Sequence, residues 1–416
     1  MSNGWHCPTV MMYGGDELAA WLGTRTERSV TLLLDEGIAG AAVAASVREQ
    51  IERAGRTART VVIGGSGDLT AVTGLARRLA DTELVIAVGG GSLLDQAKLA
   101  VLLSADPGTE DRLRVPQRCG LILLPPAEHR GPRLVAVPTT LGTGAELSAV
   151  ACLEYPQGKR LVMGGSLRPD AAVIDPEATA TLPYALLSEG LLEVLFRIAG
   201  QYVGDHRDLP TEDALAEALA VRAVRLGAGL RSADAGLRAE IAKISGLSHG
   251  GWVLLGRAPY GGKGWYLANE LSTGLGLRKM TAVAALLPPL WSAIAAGDTR
   301  LGSARRLDRL WRLLRTAVPD AALPEDPGPG IAALIDSWGV VREVAADPAE
   351  ITAVARSSVR AWGAGLPMLD GLSAADIEAL LHRAVPTKTS ARGELSLTAC
   401  GRPKHTSERG KEVSHT

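Results

Sequence analysis

Gly89-Gly90-Gly91-Ser92-Leu93-Leu94-Asp95-Gln96-Ala97-Lys98 follows the unbroken apolar run Leu84-Val85-Ile86-Ala87-Val88. Such a run suits a strand buried on both faces of a parallel sheet. The three glycines let the backbone turn tightly and expose bare N–H groups. Leu93, Leu94, Ala97, Leu99 and Ala100 then recur at helical spacing, so a helix starts at once and points its positive end at the same spot. Strand, glycine turn and helix together form a phosphate cradle. The stretch therefore predicts a bound nucleotide or another phosphorylated small molecule.

The segments around it alternate in the same way. Val30–Leu34 reads as a strand closed by Asp35-Glu36-Gly37, and residues 41–54 read as a helix. Thr60–Ile63 is a second strand, residues 69–79 a second helix, and Leu121–Leu124 and Leu134–Val137 are further short apolar runs. Alternation of this kind predicts a parallel α/β sheet covered by helices. From about Leu182 the texture is Ala/Leu/Arg-rich at helical spacing, over 212–226, 237–247, 304–317, 350–362 and 374–384. Ser373 and Asp376 form a capping-box-like pair before the last of these. Residues 324–330, rich in Pro and Gly, read as a loop. The expected organisation is an α/β domain over 1–180, a helical domain over 181–385, and a polar, disordered tail over 386–416.

Composition narrows the function. The chain has 416 residues, a net charge of −1 and 46% apolar residues, so nothing draws it to nucleic acid or to an anionic membrane surface. No apolar stretch has the length of a membrane span. Cys7, Cys119, Cys152 and Cys400 are scattered without CxxC spacing, which fits a reduced, cytoplasmic setting.

Two further motifs follow the glycine loop: Val137-Pro138-Thr139-Thr140-Leu141-Gly142-Thr143-Gly144-Ala145-Glu146, and Arg168-Pro169-Asp170-Ala171-Ala172-Val173-Ile174-Asp175-Pro176 with Leu182-Pro183 behind it. The ordered set resembles the iron-containing alcohol dehydrogenase and dehydroquinate-synthase-like superfamily. The family loop GGGSxxDxAK is matched at every fixed position, and PTTxGTGSE is matched except for Ala145. The resemblance, over roughly residues 8–385, implies a Rossmann-like nucleotide domain and an all-α domain, with NAD(P) and a metal in the cleft between them. It implies that Gly89, Gly90, Gly91 and Ser92 hold the pyrophosphate and that Asp95 lies on the nicotinamide side. Thr139, Thr140 and Thr143 would line the ribose and base region, and Lys159 would meet the cofactor. Asp35 falls where the family places a residue near the adenosine ribose. A carboxylate there accepts from a 2′-hydroxyl and repels a 2′-phosphate, favouring NAD over NADP. Asp175 reads as a turn former before Pro176.

The metal ligands of the family do not carry over. Gly190-Leu191-Leu192-Glu193-Val194-Leu195-Phe196-Arg197 is nearer the synthase-branch pattern GxxEVxxK than the dehydrogenase pattern GxDAxxH. Glu193 takes the acidic ligand position, and Arg197 stands where a His or Lys is usual. Trp265, Asn269 and Lys279 occupy the places of the three later histidines, with Trp265 and Lys279 fourteen residues apart. Indole does not ligate a divalent ion, and protonated Lys or Arg repels one. The expectation is a lost metal, with Arg197 or Lys279 supplying fixed positive charge for a substrate carboxylate or a developing alkoxide. His249 is a candidate proton shuttle or rescued ligand, with Tyr260 and Tyr266 as other proton donors. The expected function is NAD-dependent oxidation of a hydroxyl, or reduction of a carbonyl, on a small-molecule or peptide substrate, by a homodimer. The departures resemble dehydrogenases of daptide-type natural-product clusters, which implies oxidative decarboxylation of a peptide C-terminal Thr. Two alternatives stand beside it: a sugar-phosphate cyclase of the dehydroquinate synthase type, and a non-catalytic nucleotide-binding scaffold.

Overall fold

Leu84–Gly89 is buried at every position, and the rest of the nucleotide-binding sheet assembles on it. The structure is a computed structural model that describes residues 7–65, 67–126, 131–232, 234–250 and 255–386. The expected disordered tail, Pro386 apart, lies outside the described residues. Nine strands are described: β1 (Val10–Tyr13), β2 (Val30–Asp35), β3 (Ala58–Ile63), β4 (Leu84–Gly89), β5 (Leu121–Leu123), β6 (Arg133–Pro138), β7 (Val150–Tyr155), β8 (Gly158–Met163) and β9 (Ala171–Ile174). Six of them form one sheet in the order β1-β9-β6-β4-β2-β3, and every pairing in it is parallel. The helices between them are α1 (Glu17–Gly23), α2 (Ala42–Arg53), α3 (Leu69–Arg78), α4 (Gly91–Ala105) and α5 (Gly108–Arg114). Two apolar clusters, one on each face, seal the sheet, as a parallel sheet requires. A small second sheet, β5-β8-β7, flanks it. Its β7–β8 hairpin escapes the sequence reading because its residues alternate only in part.

Past β9 the described regular elements are helices: α6 (Tyr184–Gly204), α7 (Pro210–Ala228), α8 (Ala235–Gly250), α9 (Gly264–Gly274), α10 (Lys279–Ala295), α11 (Ala304–Ala317), α12 (Pro327–Ser337), α13 (Pro348–Trp362) and α14 (Ala374–Ala384). The fold is thus α/β followed by all-α, as the sequence predicts. Ser373 and Asp376 do form the capping box of α14. The predicted loop over 324–330 is corrected: α12 begins inside it. Pro327 takes the first helical position, where no N–H is needed. Gly328 and Gly330 are packing glycines, since a Cβ there would run into Ser292 and Trp311. Behind α6, buried Arg306 of α11 meets both carboxylate oxygens of Asp213 and the Tyr202 carbonyl, tying α6, α7 and α11 together. No described helix is long and apolar enough to cross a membrane.

Candidate active site

β4 delivers the chain to Gly90, the residue that caps α4 with no side-chain hydrogen bond of its own. The first N–H groups of α4 are therefore left to an outside acceptor. The loop after β6 closes over this turn. Thr139 N–H donates to the Gly89 carbonyl at 3.0 Å. A Cβ on Gly90 would stand 3.1 Å from Thr140, and one on Gly91 3.1 Å from Thr143. The glycines and the threonines are thus in contact, and a larger residue at either glycine would fill the cradle. The buried Thr140 hydroxyl has no partner among the described residues. Ser92 is exposed in the first turn of α4.

The other cofactor candidates differ in freedom. Asp35 ends β2, and its carboxylate accepts from Gly37 N–H at 2.9 Å. Asp95 accepts from Cys152 N–H at 3.0 Å and faces Lys98 at 3.5 Å. The buried Lys98 ammonium also donates to Ser148 and to the Val150 carbonyl. Asp95 is thereby held between α4 and β7. Lys159 pairs with Glu154 at 3.1 Å across the β7–β8 turn. Asp175 accepts from Glu177 N–H and caps a short 3-10 turn.

Gly142 and Gly190 bring the threonine loop onto α6. A Cβ on Gly142 would lie 2.4 Å from the Gly190 carbonyl, and one on Gly190 2.6 Å from the Leu141 carbonyl. Backbone rests directly on backbone, and Gly142 has φ +93°, a left-handed conformation that favours glycine. One turn further along α6 are Glu193 and Arg197, spaced to share a face, with 3.7 Å between carboxylate and guanidinium. Two cations meet the Trp265 indole of α9: Arg197 Cζ is 4.5 Å from the ring centroid and Lys279 Nζ 3.8 Å. Lys279 is the first residue of α10. Asn269 turns aside to Glu270. Arg197, Trp265 and Lys279, which the family resemblance aligns with metal-ligand positions, thus lie together around one indole.

His249 approaches from α8. Its ring lies against the threonine loop, for a Cβ on Gly144 would collide with it. Nδ1 lies 3.0 Å from the Ser245 carbonyl. A carbonyl only accepts, so Nδ1 carries the proton and Nε2 presents a lone pair. That Nε2 has no partner among the described residues. Burial, with the charge of Arg197, pushes the His249 pKa well below the usual imidazole range, so the ring is neutral. Glu146, absent from the sequence list of candidates, is buried here, and desolvation raises its pKa. Burial, not motif, marks it.

The group fits a nucleotide better than a metal ion. The cradle offers free N–H donors to a pyrophosphate. At the ligand positions that the family resemblance implies, Glu193 is the one carboxylate, and the Arg197 guanidinium lies 3.7 Å from it. Among the described residues Arg197 Nε and Trp265 Nε1 are unpartnered N–H donors, which seek an acceptor and not a cation. Among the described residues no three His, Cys, Asp or Glu side chains are placed to hold a metal ion.

Residues 8–176 match the sequence model of the iron-containing alcohol dehydrogenase family. A phosphonoacetaldehyde reductase from Streptomyces viridochromogenes is 40% identical over 141 residues, 32% of this chain and 35% of that protein. The chain matches about a third of the length of such curated relatives. An NADH-dependent butanol dehydrogenase from Thermotoga maritima superposes with TM-score 0.75 at 18% identity, covering 92% of this chain and 98% of that one. A sulfoacetaldehyde reductase from Bifidobacterium kashiwanohense, solved in complex with NAD+, gives TM-score 0.72 at 18% identity, covering 93% and 100%. These superpositions establish a common fold.

Proposed function

From the match of residues 8–176 to the iron-containing alcohol dehydrogenase family, we propose an NAD-dependent oxidoreductase that works on a hydroxyl or carbonyl group without the family metal. The observation that carries this reading is the Arg197 guanidinium, set on the Trp265 indole and 3.7 Å from Glu193, where a divalent ion would meet repulsion. Bound NAD supplies the hydride acceptor. The N–H groups at Gly90 and Gly91 hold its pyrophosphate, and Asp35 receives the adenosine ribose. Arg197, charged at any working pH, stabilises negative charge on the reacting oxygen or pairs with an acidic group of the substrate. His249 Nε2, an acceptor already oriented by Ser245, takes the hydroxyl proton.

An anionic substrate suits this cleft. Two of the similar proteins are named for aldehydes that carry a phosphonate or a sulfonate. A β-hydroxy acid is the version that uses Arg197 fully, and a peptide ending in Thr is one such acid. Its oxidation gives a β-keto acid, which readily loses carbon dioxide. The chain acts on it as a homodimer.

The test is calorimetric titration with NAD, followed by metal analysis of protein made in metal-supplemented medium. NAD binding with far less than one metal ion per chain supports the reading. A stoichiometric zinc or cobalt ion overturns the metal-free site and favours a cyclase. Absence of NAD binding overturns the whole proposal.

A further inference from the structure

Lys279 stands apart from the other cations of the cleft. Lys98 has three oxygen partners and Arg197 has Glu193, whereas Lys279 Nζ has no hydrogen-bond or ion-pair partner among the described residues and rests on the Trp265 ring alone. Its position opposes a positive charge in three ways. It occupies the first position of α10, a helix of 17 residues whose dipole is positive at that end. The Arg197 guanidinium shares the same indole, 4.5 Å from the ring centroid against 3.8 Å for Lys279. Burial removes water from the ammonium and, with Arg197, drives its pKa down, against the pull of Glu193, Cys152 and Asp95. The indole face attracts the ammonium and works against that shift. Each of the three favours loss of the proton, and the amine that results is a nucleophile.

We propose that Lys279 captures a ketone or aldehyde carbonyl as a Schiff base, and that with a β-keto acid this step drives loss of carbon dioxide. The Nζ lone pair adds to the carbonyl carbon, and the carbinolamine loses water. The bond from the α-carbon to the carboxylate then breaks. Its electron pair passes to the iminium nitrogen, leaving an enamine and releasing carbon dioxide. Protonation of the enamine carbon and hydrolysis by water return the ketone and the free amine. No oxidant or reductant is consumed. The step goes beyond the redox reading, sharing with it only the ketone that oxidation of a β-hydroxy acid would deliver.

The full chain, without NAD, is incubated with acetoacetate and treated with sodium borohydride, and labelled peptides are located by mass spectrometry. The expected product is an isopropyl group on Lys279, the remnant after carbon dioxide is lost, together with carbon dioxide release about tenfold above buffer. Lys279→Met, shown to be folded by an unchanged melting temperature and circular dichroism spectrum, should give neither. Labelling spread evenly over exposed Lys159 and Lys243, or none at Lys279, overturns the proposal. Labelling of Lys279 in a protein that fails to bind NAD supports it and defeats the redox reading alone.

Discussion

Arg197 is the cleft residue whose charge no neighbour can remove. Its guanidinium stacks on Trp265 and pairs loosely with Glu193, so both its place and its sign are fixed. Arg197→Ala should lower turnover tens-fold or more while NAD affinity changes by less than about twofold. Initial rates and calorimetry on one preparation check both halves, and an unchanged rate would remove Arg197 from the chemistry. The residues of this cluster were legible because motif spacing locates positions along a chain. What each does there was not. The sequence reading treats Arg197 and Lys279 as equivalent cations, and only the third dimension separates them: Lys279 begins a helix and lacks a counter-ion. His249 was similarly ambiguous, because its tautomer depends on a carbonyl one helical turn back and on a ring face pressed against Gly144.

Among the elements, α6 bears directly on the cofactor loop, through Gly190 on the Leu141 carbonyl. Gly190→Ala should force the two backbones apart, costing about 1–3 kcal/mol, and should weaken NAD binding by displacing the threonine loop. Gly200→Ala, on the same helix, is the control. Its Cβ would sit 3.7 Å from Gly262, an ordinary contact, so the gain in helix propensity should stabilise by up to about 1 kcal/mol. Melting curves and NAD titrations of the two variants should move in opposite directions in stability. Most helices and the β2, β3, β4 and β6 strands were readable because a long apolar period or a full apolar run dominates its window. α12 was not, since Pro327, Gly328, Pro329 and Gly330 carry loop composition. Those glycines are there to let Trp311 and Ser292 approach, a demand set by distant residues that no local window contains.

Across the whole molecule the sheet has a chemical end and a structural end. At the structural end Arg25, Glu27, Arg133 and Asp170 form a chain of ion pairs. The hydrogen bond from Arg25 is the largest cause holding the Glu27 carboxyl down at about 2. A carboxyl depressed in the folded state stabilises above its unfolded value near 4.5, and that contribution is lost as the pH falls towards 2. Glu27→Gln should therefore lower the melting temperature at neutral pH, and the gap to the wild type should shrink steadily from about pH 6 to pH 3. A gap independent of pH would contradict it.

The pairing of β1 with β9 has a temporal meaning as well. Val10 and Ala171 are partners in register, and the Thr9 hydroxyl reaches the Pro169 carbonyl. During synthesis the first strand must therefore wait for well over a hundred further residues to leave the ribosome before its neighbour exists. Until then β1 is an unclaimed ribbon, and β6 a raw border on the growing sheet. The nascent chain is most exposed to wrong pairing just before Ile174 emerges, when a chaperone has the most to offer it.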